Sequence, residues 1–381
     1  MKIELAREWR LIREERWLLS LTTWLPLMLF AIIWAIFSSG IARDLPVGVV
    51  DLDHSQLSRQ LVRYYDANPT LAVVNTYPSV AEGSFALKGG DIYALVVIPT
   101  NLEQDTKLGK SPTATVFYNS QFVLIGKLVK SAVLQAQGTL NAQIDTLRNM
   151  VSGNPVPQQA IGLAVPVRNQ ITPLYNSNSH YGQFLVSATI PAIWQIAIVI
   201  TTIIALSAEQ RKGTIKGWLG DKPQRNLISK LMPYTLLFFV QGIIFMTVLY
   251  GGLDWPMHGH WWIVMLAQLL MVLACQGVAS LFFLFTLDAT KAMSLAAGFT
   301  APAFAFVGVT FPATDMPVFA LIWRAMLPAT HYLDIQLHQV NHGMAFWHEV
   351  PQLLCLFAFL VTWLVSIWRV RQLGKAHGET I

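Results

Sequence analysis

Six stretches of this chain, at 19–40, 184–206, 231–253, 261–287, 292–314 and 351–368, are apolar over about the length that crosses a bilayer, and no other feature restricts the fold so severely. A hydrocarbon layer roughly 30 Å thick takes about 20 predominantly apolar residues to cross as a helix. Inside it every backbone N–H and C=O must find a partner within the protein, which is why such segments fold as helices. The rest of the chain agrees: 54% of residues are hydrophobic and 12% charged, a balance that excludes an ordinary water-soluble protein of this length. The expected fold class is therefore membrane α-helical, with six transmembrane helices.

Basic residues then orient the chain, because short loops rich in Lys and Arg stay in the cytoplasm. With the N-terminus inside, Lys2, Arg7, Arg10, Arg13 and Arg16, then Arg211, Lys212, Lys216, Lys222, Arg225 and Lys230, then Lys291, and finally Arg369, Arg371 and Lys375 all fall on the cytoplasmic side. The short outer loops, 254–260 and 315–350, hold only Arg324. The formal charge of +5 needs no nucleic acid to explain it. Residues 1–40 read as a retained span and not a cleaved signal, since they carry Glu4, Glu8, Glu14 and Glu15 and an apolar run longer than a signal core. Cys275 and Cys355 both lie in expected spans, so no disulfide framework follows. The lack of an Asn-x-Ser/Thr sequon free of proline fits a bacterial inner membrane, and both termini are expected in the cytoplasm.

The chain divides into three kinds of material. Residues 1–20 read as an amphipathic helix with Leu5, Trp9 and Ile12 on one face and Arg7, Arg10 and Glu14 on the other; it can anchor at the membrane surface or also touch a cytoplasmic partner. Residues 21–41 are the first span. Residues 42–183 alternate β-rich runs (47–50, 71–74, 93–98 and 114–118) with helical ones, which predicts an inserted α/β extracytoplasmic domain. A long helix from about Phe122 to Val151 follows, and Val129, Val133, Ala136, Leu140, Ile144, Leu147 and Val151 form a seam near the coiled-coil period. Two uses of that seam are open: packing on its own sheet, or meeting the same helix of a second protomer. The Pro- and Gly-rich stretch 151–181 reads as a return linker. Residues 184–381 carry the remaining five spans.

Absences are informative. No Asp, Glu, Lys or Arg lies well inside the six stretches, although ion-driven transporters usually keep ionisable residues at membrane depth. The strongly polar side chains there are amides, among them Gln195, Gln241, Gln268 and Gln276, which either bond between helices or, for Gln195 and Gln241, line a translocation path. Gly109-Lys110-Ser111 ends like a phosphate loop but has Gln104 where the pattern needs glycine. His331, His338, His342 and His348 cluster late beside Asp334 and Glu349, yet Gln339 stands where a zinc-hydrolase signature needs Glu. No metal is expected, and the histidines read as interfacial residues beside Tyr332 and Trp347.

One segment is more specific. An apolar span ends in Glu209-Gln210-Arg211-Lys212-Gly213-Thr214, and a basic loop with Pro223 and Lys230 leads into the next span. Further on come Thr310-Phe311-Pro312-Ala313-Thr314-Asp315-Met316-Pro317 and Leu327-Pro328-Ala329-Thr330-His331-Tyr332-Leu333, and the expected ectodomain opens with Leu45-Pro46-Val47-Gly48-Val49-Val50-Asp51-Leu52-Asp53. These blocks resemble the E-R-E-K-G-T, F-P-x-x-x-M-P and L-P-x-T-x-Y-L regions and the ectodomain start of ABC-2 type permeases, the membrane subunits of ATP-binding cassette exporters. Gln210-Arg211 departs from the Arg-Glu often found there and removes one acidic contact from the expected interface.

The resemblance implies a permease half that pairs with a second permease chain, identical or related, and with cytoplasmic ABC ATPase subunits that bind the ATP and Mg, this chain binding no cofactor and not being itself an enzyme. It makes residues 1–20 a connecting helix, with Trp9, Arg10 and Arg13 as its candidate contacts, and Glu209, Arg211, Lys212, Gly213 and Thr214 in the 207–230 loop the candidates for ATPase coupling. Physically, 209–219 is expected as a short helix across the cytoplasmic face, with Glu209 at its positive end, Gly213 allowing close approach and Trp218 as anchor. Pro312, Pro317 and Pro328 break the 311–350 segment, which is expected to dip into the outer leaflet as a re-entrant hairpin, with Phe311 and Phe319 as path constrictions. Three readings compete: an exporter permease, multidrug or lipid-like in cargo and meeting a periplasmic adaptor; a membrane-anchored receptor or scaffold whose ectodomain binds a periplasmic partner without transport; and a membrane enzyme using the late histidines.

Overall fold

The computed structural model describes residues 2–378 apart from 39, 154–155, 167–173, 177–179, 215–217, 219–221 and 309–310, with backbone alone at 2–5, 181 and 376–378. It divides into two compact units, residues 1–40 with 173–381, and residues 41–172.

The first unit starts with three helices, α1 (Lys2–Glu14), α2 (Arg16–Thr22) and α3 (Trp24–Ile36). α2 and α3 meet at Thr23 with a bend of 48°. Pro26 explains the break, because it has no N–H for the carbonyl of Thr22 four residues earlier.

The second unit is the α/β domain. Its elements are β1 (Leu45–Asp51), α4 (Gln56–Asp66), β2 (Leu71–Thr76), α5 (Val80–Gly89), β3 (Ala94–Ile98), α6 (Leu102–Lys107), β4 (Thr115–Tyr118), α7 (Val123–Val151) and α8 (Pro157–Ala164). The sheet runs β2-β1-β3-β4, with β1 parallel to both neighbours and β4 antiparallel to β3. Ser55 and Ser79 cap α4 and α5 by accepting from the N–H groups of Ser58 and Glu82. Val47, Val49, Ala94 and Val96 pack against Leu61 and Tyr65 of α4 and Val129, Val133, Ala136 and Leu140 of α7. The opposite face buries Val50 and Leu95 with Ala86 and Ile92. The α7 seam is thus used within its own domain at its first four positions, whereas Leu147 and Val151 are 56% and 90% exposed.

The first unit resumes with α9 (Tyr181–Arg211), α10 (Pro223–Met246), which runs on as a π-helical turn over Thr247–Gly252, and α11 (Trp261–Thr286). Then come α12 (Ala289–Thr300), α13 (Ala303–Phe306), α14 (Val318–Met326), α15 (Pro328–Leu337) with a π turn at His338–His342, α16 (Phe346–Ala358) and α17 (Leu360–Gly378). α11 is central and packs on α9, α10, α12, α15, α16 and α17. Among the described residues four helical spans are long and apolar enough to cross a membrane, at 182–211, 223–252, 261–286 and 346–375, and the bent α2–α3 pair makes a fifth.

The fifth stretch, 292–314, is not one helix. α12 has 12 residues, about 18 Å at 1.5 Å per residue, and the chain breaks at Ala301–Pro302 before the four residues of α13. Pro302 cannot donate to the helical ladder, and Gly308, at φ +89°, turns the chain away. The 311–350 segment contains two short helices, α14 and α15, that meet at the extended Leu327.

Candidate functional site

The site lies at the basic end of the bundle, where α1 crosses the ends of α9 and α10. Sequence periodicity put Leu5, Trp9 and Ile12 together on one apolar face of α1. Within the chain Glu8, Leu11 and Ile12 face inward, Trp9, Arg10 and Arg13 are exposed, and the Leu5 side chain lies outside the described residues. Glu8 faces inward because a cation waits beneath it.

That cation is Lys230, in the second turn of α10 and 1% exposed. Its Nζ lies 2.9 Å from Glu8 Oε1 and 2.8 Å from Glu209 Oε1. Arg7 closes the group from the surface, with Nη2 2.5 Å from Glu209 Oε1 and 3.4 Å from Glu8 Oε1, and the Tyr234 hydroxyl donates to Glu8 Oε2 at 3.4 Å. Two carboxylates and two cations cancel, which is the condition under which charges can be buried at all: breaking a buried pair by removing one partner costs about 3–5 kcal/mol. Three helices distant in sequence are therefore locked together at one point.

Glu209 sits in the last turn of α9, at the negative end of the helix dipole. The expectation of a helix starting at Glu209 is corrected here, and the two nearby cations offset the unfavourable dipole. Gly213 also has another role than expected. With φ +66° it ends α9 in a Schellman turn, the Thr214 N–H bonding to the Glu209 carbonyl at 2.9 Å and the Gly213 N–H to that of Gln210 at 3.1 Å. The Thr214 hydroxyl donates to Glu209 Oε2 at 2.5 Å. The Glu-x-x-x-Gly-Thr order thus has a local reason: the glycine turns the chain so that the threonine can hold the glutamate.

Around this centre two further pairs strap α1 to the turn, Arg211 to Glu15 at 2.8 Å and Lys212 to Glu14 at 3.5 Å, with both basic side chains 45% exposed. Gln210 Nε2 donates to the carbonyl of Leu287 at the end of α11. Trp218 is buried and its carbonyl accepts from Asn226 Nδ2 at 2.6 Å. The middle of the expected 209–219 helix, 215–217, lies outside the described residues. Glu8, Glu14 and Glu15, read from sequence as unfit for a signal peptide and, for Glu14, as part of the polar face of the first helix, are the residues that reasoning missed. Their spacing of i, i+6 and i+7 against a basic loop was the available signal.

The other candidates separate. Gln195 and Gln241 are buried within the chain. Gln195 Oε1 accepts from the Ala329 N–H at 2.9 Å, and Gln241 Nε2 donates to the Thr22 carbonyl at 2.8 Å, the group that Pro26 leaves without a helical donor. Gln268 Nε2 serves the Gly242 carbonyl and Gln276 Nε2 that of Leu231. Phe311 and Phe319 are 48% and 67% exposed. Among the late polar residues, Arg324 pairs with Asp334 at 2.6 Å, His331 bonds to Gln352 and the Ala325 carbonyl, and His338 meets Glu349 at 3.2 Å. Among the described residues no group of three or more His, Cys, Asp or Glu is arranged to hold a metal ion.

Residues 16–369 match the family model described as ABC-2 family transporter protein. The chain is similar to the "inner membrane transport permease YhhJ" of Escherichia coli K12, at 22% identity over 359 residues covering 91% of each chain, and equally to the protein of that name from Shigella flexneri. A family match over nearly the whole length, on an apolar helical chain, places this protein in the ABC-2 family of transporters, as a membrane permease.

Proposed function

We propose that the chain is the permease subunit of an ATP-driven exporter in a bacterial inner membrane, that two permease chains form the pathway, and that separate cytoplasmic ATPase subunits binding ATP and Mg drive it. The observation that carries this reading is the buried ion cluster. It makes α1, the end of α9 and the start of α10 one rigid body, and that body presents Trp9, Arg10, Arg13, Arg211, Lys212 and Gly213 outward. A rigid element with an exposed basic face is what a partner needs in order to push on helices otherwise buried in a bilayer. The distribution of Lys and Arg supports a cytoplasmic position for this end and for both termini. The α/β domain then faces the periplasm, where it meets an adaptor. Six crossings follow if α12, α13 and the chain to Pro312 count as one broken span and α14–α15 as a re-entrant hairpin, with Phe311 and Phe319 lining the outer exit. The cargo is amphipathic, drug-like or lipid-like. Gln195 and Gln241 are the candidates for the inner lining of the path; each bonds one backbone group of its own chain through one end of its amide.

Copurification from the native membrane tests the reading. A nucleotide-binding subunit should accompany the wild-type chain, and Arg10→Glu/Arg13→Glu or Gly213→Trp should release it or uncouple its ATP hydrolysis while the permease stays folded. Retention of a fully coupled ATPase by both variants would overturn the assignment of this face.

A further inference from the structure

The amides of the bundle follow a pattern that no transport motif requires. Pro191 lies inside α9 and has no N–H for the carbonyl of Ser187, four residues earlier. Gln336, on α15, donates its Nε2 to that carbonyl at 3.2 Å and shares the same nitrogen with the Tyr250 hydroxyl at 3.2 Å. The reverse bond runs from the other side: Gln195 of α9 accepts from the N–H of Ala329, an orphan donor in the first turn of α15, directly after Pro328. Ser187 and Gln195 are eight residues apart and Ala329 and Gln336 seven, so each rung spacing is about 10–12 Å at 1.5 Å per residue. The two helices run antiparallel with matched rungs. Beside the rungs Ala188 and Ala192 pack with Leu327 and Leu333 in one buried cluster, and the Trp194 and Tyr332 rings meet edge to face at 6.3 Å.

We propose that these reciprocal rungs make α9 and α15 one mechanical unit, in which Gln336, standing in for the N–H that Pro191 lacks, is the positioning residue that carries a displacement of α9 to the α14–α15 hairpin. A single bond would let α15 pivot about α9. Two bonds at separate heights remove that freedom, and because both side chains are neutral they do so without a charge at membrane depth. The inference rests on the reading above, in which α9 is moved at its Glu209 end, but the rungs themselves do not.

The rungs are tested by a melting cycle on the purified chain in lipid nanodiscs. Gln336→Leu should lower Tm by several degrees. In a Pro191→Ala background, where residue 191 again supplies an N–H to Ser187, the same substitution should lower it far less. An equal drop in both backgrounds would show that the Ser187 carbonyl is not what Gln336 serves, and would overturn the proposal.

Transmission is read separately, in the full complex, from the maleimide labelling rate of Val318→Cys, an exposed position in α14, in a chain whose exposed Cys355 is replaced by serine. Trapping with ATP and vanadate should change that rate several-fold with the rungs intact. In Pro191→Ala/Gln336→Leu the change should vanish while ATP hydrolysis continues. A rate that still responds to nucleotide in the double variant refutes the positioning role. A rate unresponsive even with intact rungs refutes the driven-lever reading and the transmission role with it, leaving the melting cycle to judge the rungs.

Discussion

The basic end of the bundle and its interior solve one problem, joining helices distant in sequence, with opposite chemistry. At the end, Glu8, Glu209, Lys230 and Arg7 use full charge. In the interior, Gln195, Gln241, Gln268, Gln276 and Gln336 use neutral amides. The difference follows from what each place can hydrate. Arg7 is 47% exposed and opens the cluster to water at its edge, so the desolvation penalty is shared with solvent. Deeper in, a charge has no such outlet, while an amide costs little to bury if a backbone group is waiting for it. Prolines supply three of those five groups: Pro26 frees the Thr22 carbonyl, Pro191 that of Ser187, and Pro328 opens the helix whose Ala329 N–H takes Gln195.

The comparison breaks most readily at Lys230. Lys230→Met leaves two buried carboxylates with only the half-exposed Arg7, and should cost about 3–5 kcal/mol in thermal or denaturant unfolding. A triple change with Glu8→Gln and Glu209→Gln should recover most of that loss, and a Lys230→Met chain within about 1 kcal/mol of wild type would mean that the end of the bundle does not rest on charge. In the interior, Gln241→Leu should cost about 1–3 kcal/mol by stranding the Thr22 carbonyl, and Pro26→Ala should restore part of it; no rescue would sever the link between amide and proline. Gly213→Ala forces a side chain into the left-handed region at the α9 terminus and should cost about 1–2 kcal/mol, read as a lower Tm with the helical circular dichroism kept. The smallest effect is expected at the rim of the cluster: Lys212→Ala, which removes a half-exposed pair with Glu14, should fall within about 0.5 kcal/mol and shrink further in high salt.

The two halves of α7 show why only part of this was legible. Its seven-residue seam was visible in sequence, and the same spacing serves a buried face at Val129–Leu140 and an exposed one at Leu147 and Val151. Periodicity reports that a face is apolar, not what covers it. On α1 the same reasoning grouped Trp9 with Ile12, and within the chain Ile12 is buried, Trp9 is exposed and Glu8 is buried against Lys230.

Sequence alone determined that this is a helical membrane chain with an inserted α/β domain, that its basic residues gather at one end, and that the Glu209–Thr214 segment is distinctive, because length, apolarity and order along the chain are local properties. Tertiary structure alone decided that Glu209 is held from α1 and α10, that Gly213 is a helix stop, that 292–314 is broken, and that each buried glutamine has a particular backbone partner. Those outcomes depend on which groups, up to 226 positions apart in the Glu8–Tyr234 bond, come within hydrogen-bond reach once the helices pack, and no local pattern encodes that distance.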